Sequence, residues 1–212
     1  MKKTVFTLVI VLLTTHIFNA QETKTSKPAF GVKGGMNVAN FTGDNDNSTA
    51  RVGIQAGFYT EFKISDKFAI QQELLYSVQG ASDKGTTIVE GYTVNYKAKF
   101  NLGYINLPVM AKYYTTEKFS IEFGPQVGFL TSAKLKTDVT LLETGQTGSS
   151  TDDVKDFFKG IDFGLNVGLG YQFTNKLGAN LRYNAGLANI ADTNDGSKIQ
   201  NSVFSLSLSC KL

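Results

Sequence analysis

From residue 30 to the C-terminus, apolar and polar residues take turns with a period of two, the spacing at which successive side chains of a β-strand point to opposite faces. In 204–212, Phe204, Leu206, Leu208, Cys210 and Leu212 share one face, while Ser205, Ser207, Ser209 and Lys211 share the other. Segments 161–173 and 177–187 repeat the pattern, as do Val52 to Phe62, Phe68 to Val78 and Phe119 to Phe129. A chain patterned in this way builds sheets. After residue 20 no stretch is apolar and long enough for a membrane-spanning helix.

Alternation alone suits a soluble sandwich as well as a barrel. Three features favour the barrel. The strands run roughly 10 to 14 residues, which matches a tilted membrane crossing better than the strands of soluble sheets. The second face consists mainly of Gly, Asn, Ser and Gln with isolated charges, residues suited to a crowded interior. Connections alternate short and long, with short turns at Ser65-Asp66-Lys67, Thr116-Glu117-Lys118 and Thr174-Asn175-Lys176, and long polar loops over 42–50, 81–96, 138–157 and 191–200. Short periplasmic turns and longer extracellular loops mark outer-membrane barrels.

The expected architecture is therefore an all-β, eight-stranded antiparallel up-and-down transmembrane β-barrel. Its strands are read at 30–41, 51–64, 68–80, 97–113, 119–137, 158–173, 177–190 and 201–212. An even number of strands places both termini in the periplasm. In the fourth strand Phe100, Leu102 and Tyr104 keep one phase and Ile105, Leu107 and Val109 the other, so a bulge is expected near Tyr104 to Asn106.

The N-terminus agrees with this compartment. Met1-Lys2-Lys3, the apolar run Val5 to Leu13 and Asn19-Ala20 read as a secretory signal peptide over 1–20. A periplasmic linker is expected over 21–28, followed by the barrel domain over 29–212. Cys210 is the single cysteine, which argues against a lipid-anchored lipoprotein. Removing Lys2 and Lys3 from 21 basic residues leaves 19 against 18 acidic ones, so net charge makes no case for nucleic acid. The one histidine, His16, departs with the leader. The mature chain then lacks the groups for a Ser-His-Asp or Cys-His site, a His-ligated metal or a structural disulfide.

Functional candidates are accordingly few. Lys33, Glu61, Lys63, Glu73, Glu122, Asp162, Arg182 and Lys211 fall on the inward face, with Lys112 joining them if the bulge lies as expected. An eight-stranded barrel is only wide enough to be filled by side chains, so these charges are expected to pair across it as a structural salt-bridge core. The sharper alternative makes Arg182, Glu73 and Glu122 a proton or small-ion gate. The run Asp44 to Ser48 starts like a calcium loop but has Thr49 and Gln55 where a glycine and an acid belong. Asp152, Asp153 and Asp156 offer a site for divalent cations bridging lipopolysaccharide, against the plainer reading of a solvated loop.

GVKGGMNVANF (31–41), GYINLPVMAKYY (103–114) and IEFGPQVGFL (121–130) resemble the PorT-type outer-membrane β-barrel family of Gram-negative bacteria that use type IX secretion. The resemblance covers essentially the whole mature chain and is most specific at Leu107-Pro108 and Gly124-Pro125. It implies an eight-stranded outer-membrane barrel, and only fold and location carry over.

Three functional classes follow. The first is a structural or interaction barrel, associated with secretion or envelope assembly. Its partners would be outer-membrane lipid and lipopolysaccharide, the assembly machinery during biogenesis, and a protein met through loops 81–96 and 138–157. The second is a carrier of small hydrophobic molecules, which would need an apolar interior pocket. The third, an enzyme, would need a nucleophile, base or paired carboxylates at the rim, which the chain does not supply. No cofactor is implied.

Overall fold

A computed structural model describes residues 27–44, 48–89, 91–193, 196 and 198–212. The leader read at 1–20, most of the linker 21–28 and residues 45–47 of the calcium-like run lie outside the described residues. Among these residues ten strands follow one another: β1 (Ala29–Gly43), β2 (Thr49–Lys63), β3 (Phe68–Gln79), β4 (Ala81–Val89), β5 (Tyr92–Tyr114), β6 (Phe119–Leu141), β7 (Thr147–Asp153), β8 (Ile161–Gln172), β9 (Leu177–Gly186) and β10 (Ile199–Lys211), with a 3₁₀ turn at Lys155–Phe157.

Eight of these strands close a ring of antiparallel pairs, β1-β2-β3-β5-β6-β8-β9-β10, and β10 returns to β1 along a register running from Gly31 opposite Lys211 to Gly43 opposite Ile199. This is the up-and-down barrel the alternation predicts. Closure removes the unpaired edges that a bilayer cannot tolerate.

The three short turns are built alike because their sequences are alike. Ser65, Thr116 and Thr174 each turn a side-chain hydroxyl onto the backbone N–H three residues on, accepting from Phe68 at 3.1 Å, Phe119 at 3.0 Å and Leu177 at 3.0 Å. Each turn lysine then offers its carbonyl to a neighbouring strand: Lys67 accepts from Tyr114 N–H, Lys118 from Gln172 and Lys176 from Lys211, all at 2.8 Å.

The opposite end corrects the sequence reading. Segments 81–96 and 138–157 are not loops for most of their length. After Gly80, whose φ of +126° only glycine adopts readily, the chain continues as β4, which pairs with β2 over Ala81 and Ser82 and then leaves it, staying paired with the upper half of β5. A Cβ at Gly80 would also collide with the Phe100 carbonyl. The upper half of β6 pairs with β5 and with β7 in the same way. A four-stranded ribbon, β4-β5-β6-β7, thus stands out from the ring.

The bulge is corrected as well. A register shift does fall between Gly103 and Tyr104, but the extra residue is Thr131 on β6. Strand β5 keeps one phase throughout: Leu102, Tyr104, Asn106, Met110, Lys112 and Tyr114 are all buried inside the ring. No phase change is needed, since the interior itself changes from polar to apolar along its axis.

Outside, the ring is apolar. Met36, Val38, Ile54, Phe58, Leu74, Phe123, Phe163, Leu181, Phe204 and Leu206 each leave about half or more of their surface uncovered. A soluble protein does not expose such a continuous face, whereas a bilayer covers it. Aromatic pairs ring the turn end, with Phe68 against Tyr113 at 5.0 Å and Tyr171 against Phe173 at 5.3 Å between centroids, as an interfacial girdle requires.

Candidate functional site: the barrel interior

The inward side chains form four tiers, read from the turn end upward. At the mouth Glu61 on β2 accepts from Lys112 Nζ and from the Tyr114 hydroxyl, both at 2.9 Å, and Lys112 also donates to Gln71 Oε1 at 3.0 Å. Lys211 reaches Glu61 at 3.9 Å from a partly exposed position. Lys63, expected inside, is exposed and holds its ammonium 5.5 Å from the Tyr114 ring centroid. At the last turn of β2 the side chain has already passed the end of the barrel wall, so it meets solvent.

The second tier is a closed ionic cluster. Arg182 on β9 grips Glu73 on β3 with two hydrogen bonds, Nη1 to Oε2 at 2.9 Å and Nη2 to Oε1 at 2.8 Å, and Nη2 donates to Glu122 on β6 at 3.0 Å. Lys33 on β1 adds a bridge to Glu73 at 3.1 Å, and Lys112 links the mouth to Glu122 at 3.5 Å. Asn180 donates to Glu122 Oε1 at 2.7 Å. These groups come from strands all round the ring. Three buried cations, Lys33, Lys112 and Arg182, face three buried carboxylates, Glu61, Glu73 and Glu122, with the partly exposed Lys211 as a fourth cation at the mouth. The geometry is the two-pronged arginine–carboxylate fork that makes charge burial tolerable.

Asp162 stands apart. It sits higher, on β8, where Oδ2 accepts from Asn201 Nδ2 at 2.8 Å while Oδ1 has no partner. Around it is a third tier of amides and hydroxyls, with Asn37 donating to Ser77 at 2.8 Å and Asn184 to Asn166 at 3.2 Å. A cavity of about 20 Å³ lies among Gln55, Asn106, Gln126 and Asn166, room for about one water.

The fourth tier is one the sequence reading missed. Phe41, Leu102, Tyr104, Leu130, Phe158 and Ile190 close the upper end as an apolar plug, with Phe41 5.8 Å from Phe100 and 6.2 Å from Phe158 between ring centroids. Phe158 arrives from the short segment after the 3₁₀ turn and Ile190 from the connection before β10. The signal lay in Phe100, Leu102 and Tyr104 alternating with Lys99, Asn101 and Gly103: an apolar face opposite a polar one, with the apolar face turned inward.

In the ribbon, Asp152 accepts from Ser150 at 3.2 Å and Asp153 from the Lys155 N–H at 3.0 Å. Among the described residues no group of three His, Cys, Asp or Glu is placed to hold a metal ion. Outside the membrane-spanning part, Glu143 accepts from the Thr93 N–H at 2.7 Å, which holds its carboxyl below the ordinary glutamate value. The Ser149 hydroxyl does the same for Asp138 from 2.9 Å.

A closed antiparallel ring, greasy outside, with a packed ionic interior and short turns at one end, defines the class of small transmembrane barrels of the outer membrane. Within that class the chain belongs to the family of the outer membrane protein beta-barrel domain, whose model matches residues 19–192. Among solved structures, the Neisserial surface protein A is 14% identical with a TM-score of 0.50, over 90% of this chain and 100% of that one. The attachment invasion locus protein Ail of Yersinia pestis, in complex with the heparin analogue sucrose octasulfate, is 10% identical with a TM-score of 0.48, over 88% and 100%. CarO of Acinetobacter baumannii is 9% identical with a TM-score of 0.41, over 84% and 97%. At such identities the likeness to the Neisserial protein is one of fold alone. No curated protein matches the chain.

Proposed function

We propose that the protein is a non-enzymatic structural or interaction barrel of the Gram-negative outer membrane, cleaved from a leader at 1–20, with both termini in the periplasm and the β4–β7 ribbon facing outward. The observation that carries this reading is the filled interior: a paired ionic cluster below, amides around a cavity of about 20 Å³ in the middle, and an apolar plug above. A gate built from Arg182, Glu73 and Glu122 would need a path past that plug. A carrier of small hydrophobic molecules would need an apolar pocket, whereas the cavity of about 20 Å³ is lined mainly by Gln and Asn with Arg182 and Ser205, and only Leu75 and Val203 are apolar. Catalysis would need groups at the rim with unmet charge or an activated nucleophile.

What remains to act is the surface. Its partners on this reading are outer-membrane lipid and lipopolysaccharide around the belt, the assembly machinery that inserts it, and a protein recognised by the ribbon. A finer PorT-type kinship and a part in secretion or envelope assembly rest on the matching segments 31–41, 103–114 and 121–130.

The test is expression of the precursor in a Gram-negative host, followed by membrane fractionation and gels of unheated and boiled samples. A heat-modifiable band in the outer membrane, with cysteine-reactive labels reaching a cysteine placed at Gly145 but not one at Asp66 in intact cells, is the expected result. A soluble periplasmic protein without a heat shift would refute it. Crosslinking from the 138–157 segment would then identify the protein partner.

A further inference from the structure

The outer face of the β4–β7 ribbon places lysine directly opposite lysine twice. Lys84 on β4 faces Lys97 on β5, and Lys99 on β5 faces Lys136 on β6. Lys134 lies one step below on β6, opposite Asn101. Like charges directly across a strand pair destabilise a sheet. Compensation within the face is partial: Asp138 stands opposite Lys97 and reaches Lys136 at 3.4 Å, and Asp153 stands opposite Lys134. Among the described residues, no carboxylate lies within bridging distance of Lys84, Lys97, Lys99 or Lys134.

The height of this face above the membrane follows from β5. Its outward residues are apolar from Tyr113 to Ile105, and then turn to Gly103, Asn101, Lys99 and Lys97. At ~3.3 Å per residue and ~45° tilt, Tyr113 to Gly103 spans about 23 Å, close to the ~25 Å apolar band of an outer-membrane barrel. Lys99 then stands about 9 Å above the band on the same arithmetic, at the level of the outer-leaflet headgroups.

The same residues line a concavity. Where β4 parts from β2, an open cleft of about 490 Å³ is bounded by Arg51, Lys84, Lys97 and Lys99, with Ser82 and the one carboxylate Asp83 among them, and by Val52 of the lipid-facing belt at its lower edge, so four cations face one acid. Arg51 is anchored there by donating to the Phe100 carbonyl at 2.8 Å. An occupant with an anionic head and acyl chains meets the cations with the first and the belt with the second.

We propose that the cleft between β2 and β4, with the paired lysines beside it, is a binding site for the phosphorylated sugar headgroup of an outer-leaflet glycolipid. The site deepens the outer-membrane reading above and rests on it. A phosphate between Lys84, Lys97 and Lys99 relieves their mutual repulsion, so binding stiffens the junction between ring and ribbon. The belt residue at the rim of the cleft selects a membrane-embedded ligand over a soluble anion.

The experiment uses the full mature chain, first shown by its heat-modifiable mobility to be a folded barrel, in zwitterionic lipid nanodiscs. The melting temperature of the wild type and of K84Q/K97Q/K99Q is measured with bis-phosphorylated lipid A, with dephosphorylated lipid A and with inorganic phosphate. The expected result has two opposite signs. Without anionic lipid the triple variant melts at or above the wild type, because repulsion is relieved. Its affinity for bis-phosphorylated lipid A falls by at least about tenfold, since each basic group near an anionic surface contributes severalfold. A double variant at the far end, K67Q/K118Q, keeps wild-type affinity. Equal affinity of wild type and triple variant for bis-phosphorylated lipid A would overturn the site, as would equal stabilisation of the wild type by dephosphorylated lipid A or by inorganic phosphate. Because the barrel is verified beforehand, each of these results leaves the outer-membrane reading standing.

Discussion

Arg182 and Asp162 are both inward-facing charges, yet their surroundings make opposite demands. Arg182 is the common partner of Glu73 and Glu122, so Arg182→Met strands two buried carboxylates, with Lys33 and Lys112 left to offset them. Removing one member of a buried ionic group costs about 3–5 kcal/mol, and R182M is expected to lower stability by that amount in urea titrations in lipid. The chain has no tryptophan, so circular dichroism or the unheated gel band is the readout. Among the described residues no cation bridges Asp162, and its Oδ1 lies in a neighbourhood where Asn201 Oδ1 also lacks a donor. Asp162→Asn supplies two N–H groups there and is expected to leave stability unchanged or to raise it by about 1 kcal/mol. A loss comparable to that of R182M would show that the carboxylate is required. The inward position of both residues was legible from the period of two. The grouping of Arg182 with Glu73 and Glu122 was legible too, but the amide surroundings of Asp162 were not, because they come from strands far away in sequence.

At the scale of elements, the three turns were the most readable parts, since a hydroxyl, a polar residue and a lysine before an apolar strand start are all the turn needs. The ribbon reads as loops in the sequence, yet it is strand. Its β4 and β7 are rich in Ser, Thr, Gly and Asp and carry no buried apolar face of their own, so only pairing with the extended β5 and β6 makes them strands. Its tip is held by Glu143 accepting the Thr93 N–H and by Leu142 N–H donating to the Thr93 carbonyl at 2.9 Å. The folded carboxyl of Glu143 titrates below its unfolded value. Its contribution is therefore present above about pH 4 and disappears as pH falls through the lowered folded value. Protection of the Thr93 and Leu142 amides, corrected for the intrinsic exchange rate at each pH, is expected to fall in acid in the wild type. Glu143→Gln should show weaker protection already at neutral pH and little further acid response. An identical pH profile in the two proteins would rule out the carboxylate as the tie.

For the whole molecule, the ring and the ribbon draw on different sources of stability. The ring is closed by its own ladders and filled by its own side chains, whereas the ribbon leans on the upper ends of β5 and β6. Replacing 84–97 and 138–149 by short turns is therefore expected to leave a heat-modifiable barrel that inserts normally, while abolishing any function carried by the outer face. Loss of the heat shift in that variant would mean that the ribbon is needed to close the ring. The alternation of side chains, the length of the strands and the spacing of the turns determined by themselves that this chain forms an antiparallel barrel with an apolar outside, because each is a local property that the bilayer selects residue by residue. Tertiary structure alone decided that Arg182 grips Glu73 with two hydrogen bonds, that the inward face turns apolar at Phe41, Leu102 and Phe158, and that lysines line up across the ribbon. Those juxtapositions depend on register around a closed ring, and register is a property of strand pairs that no single strand encodes.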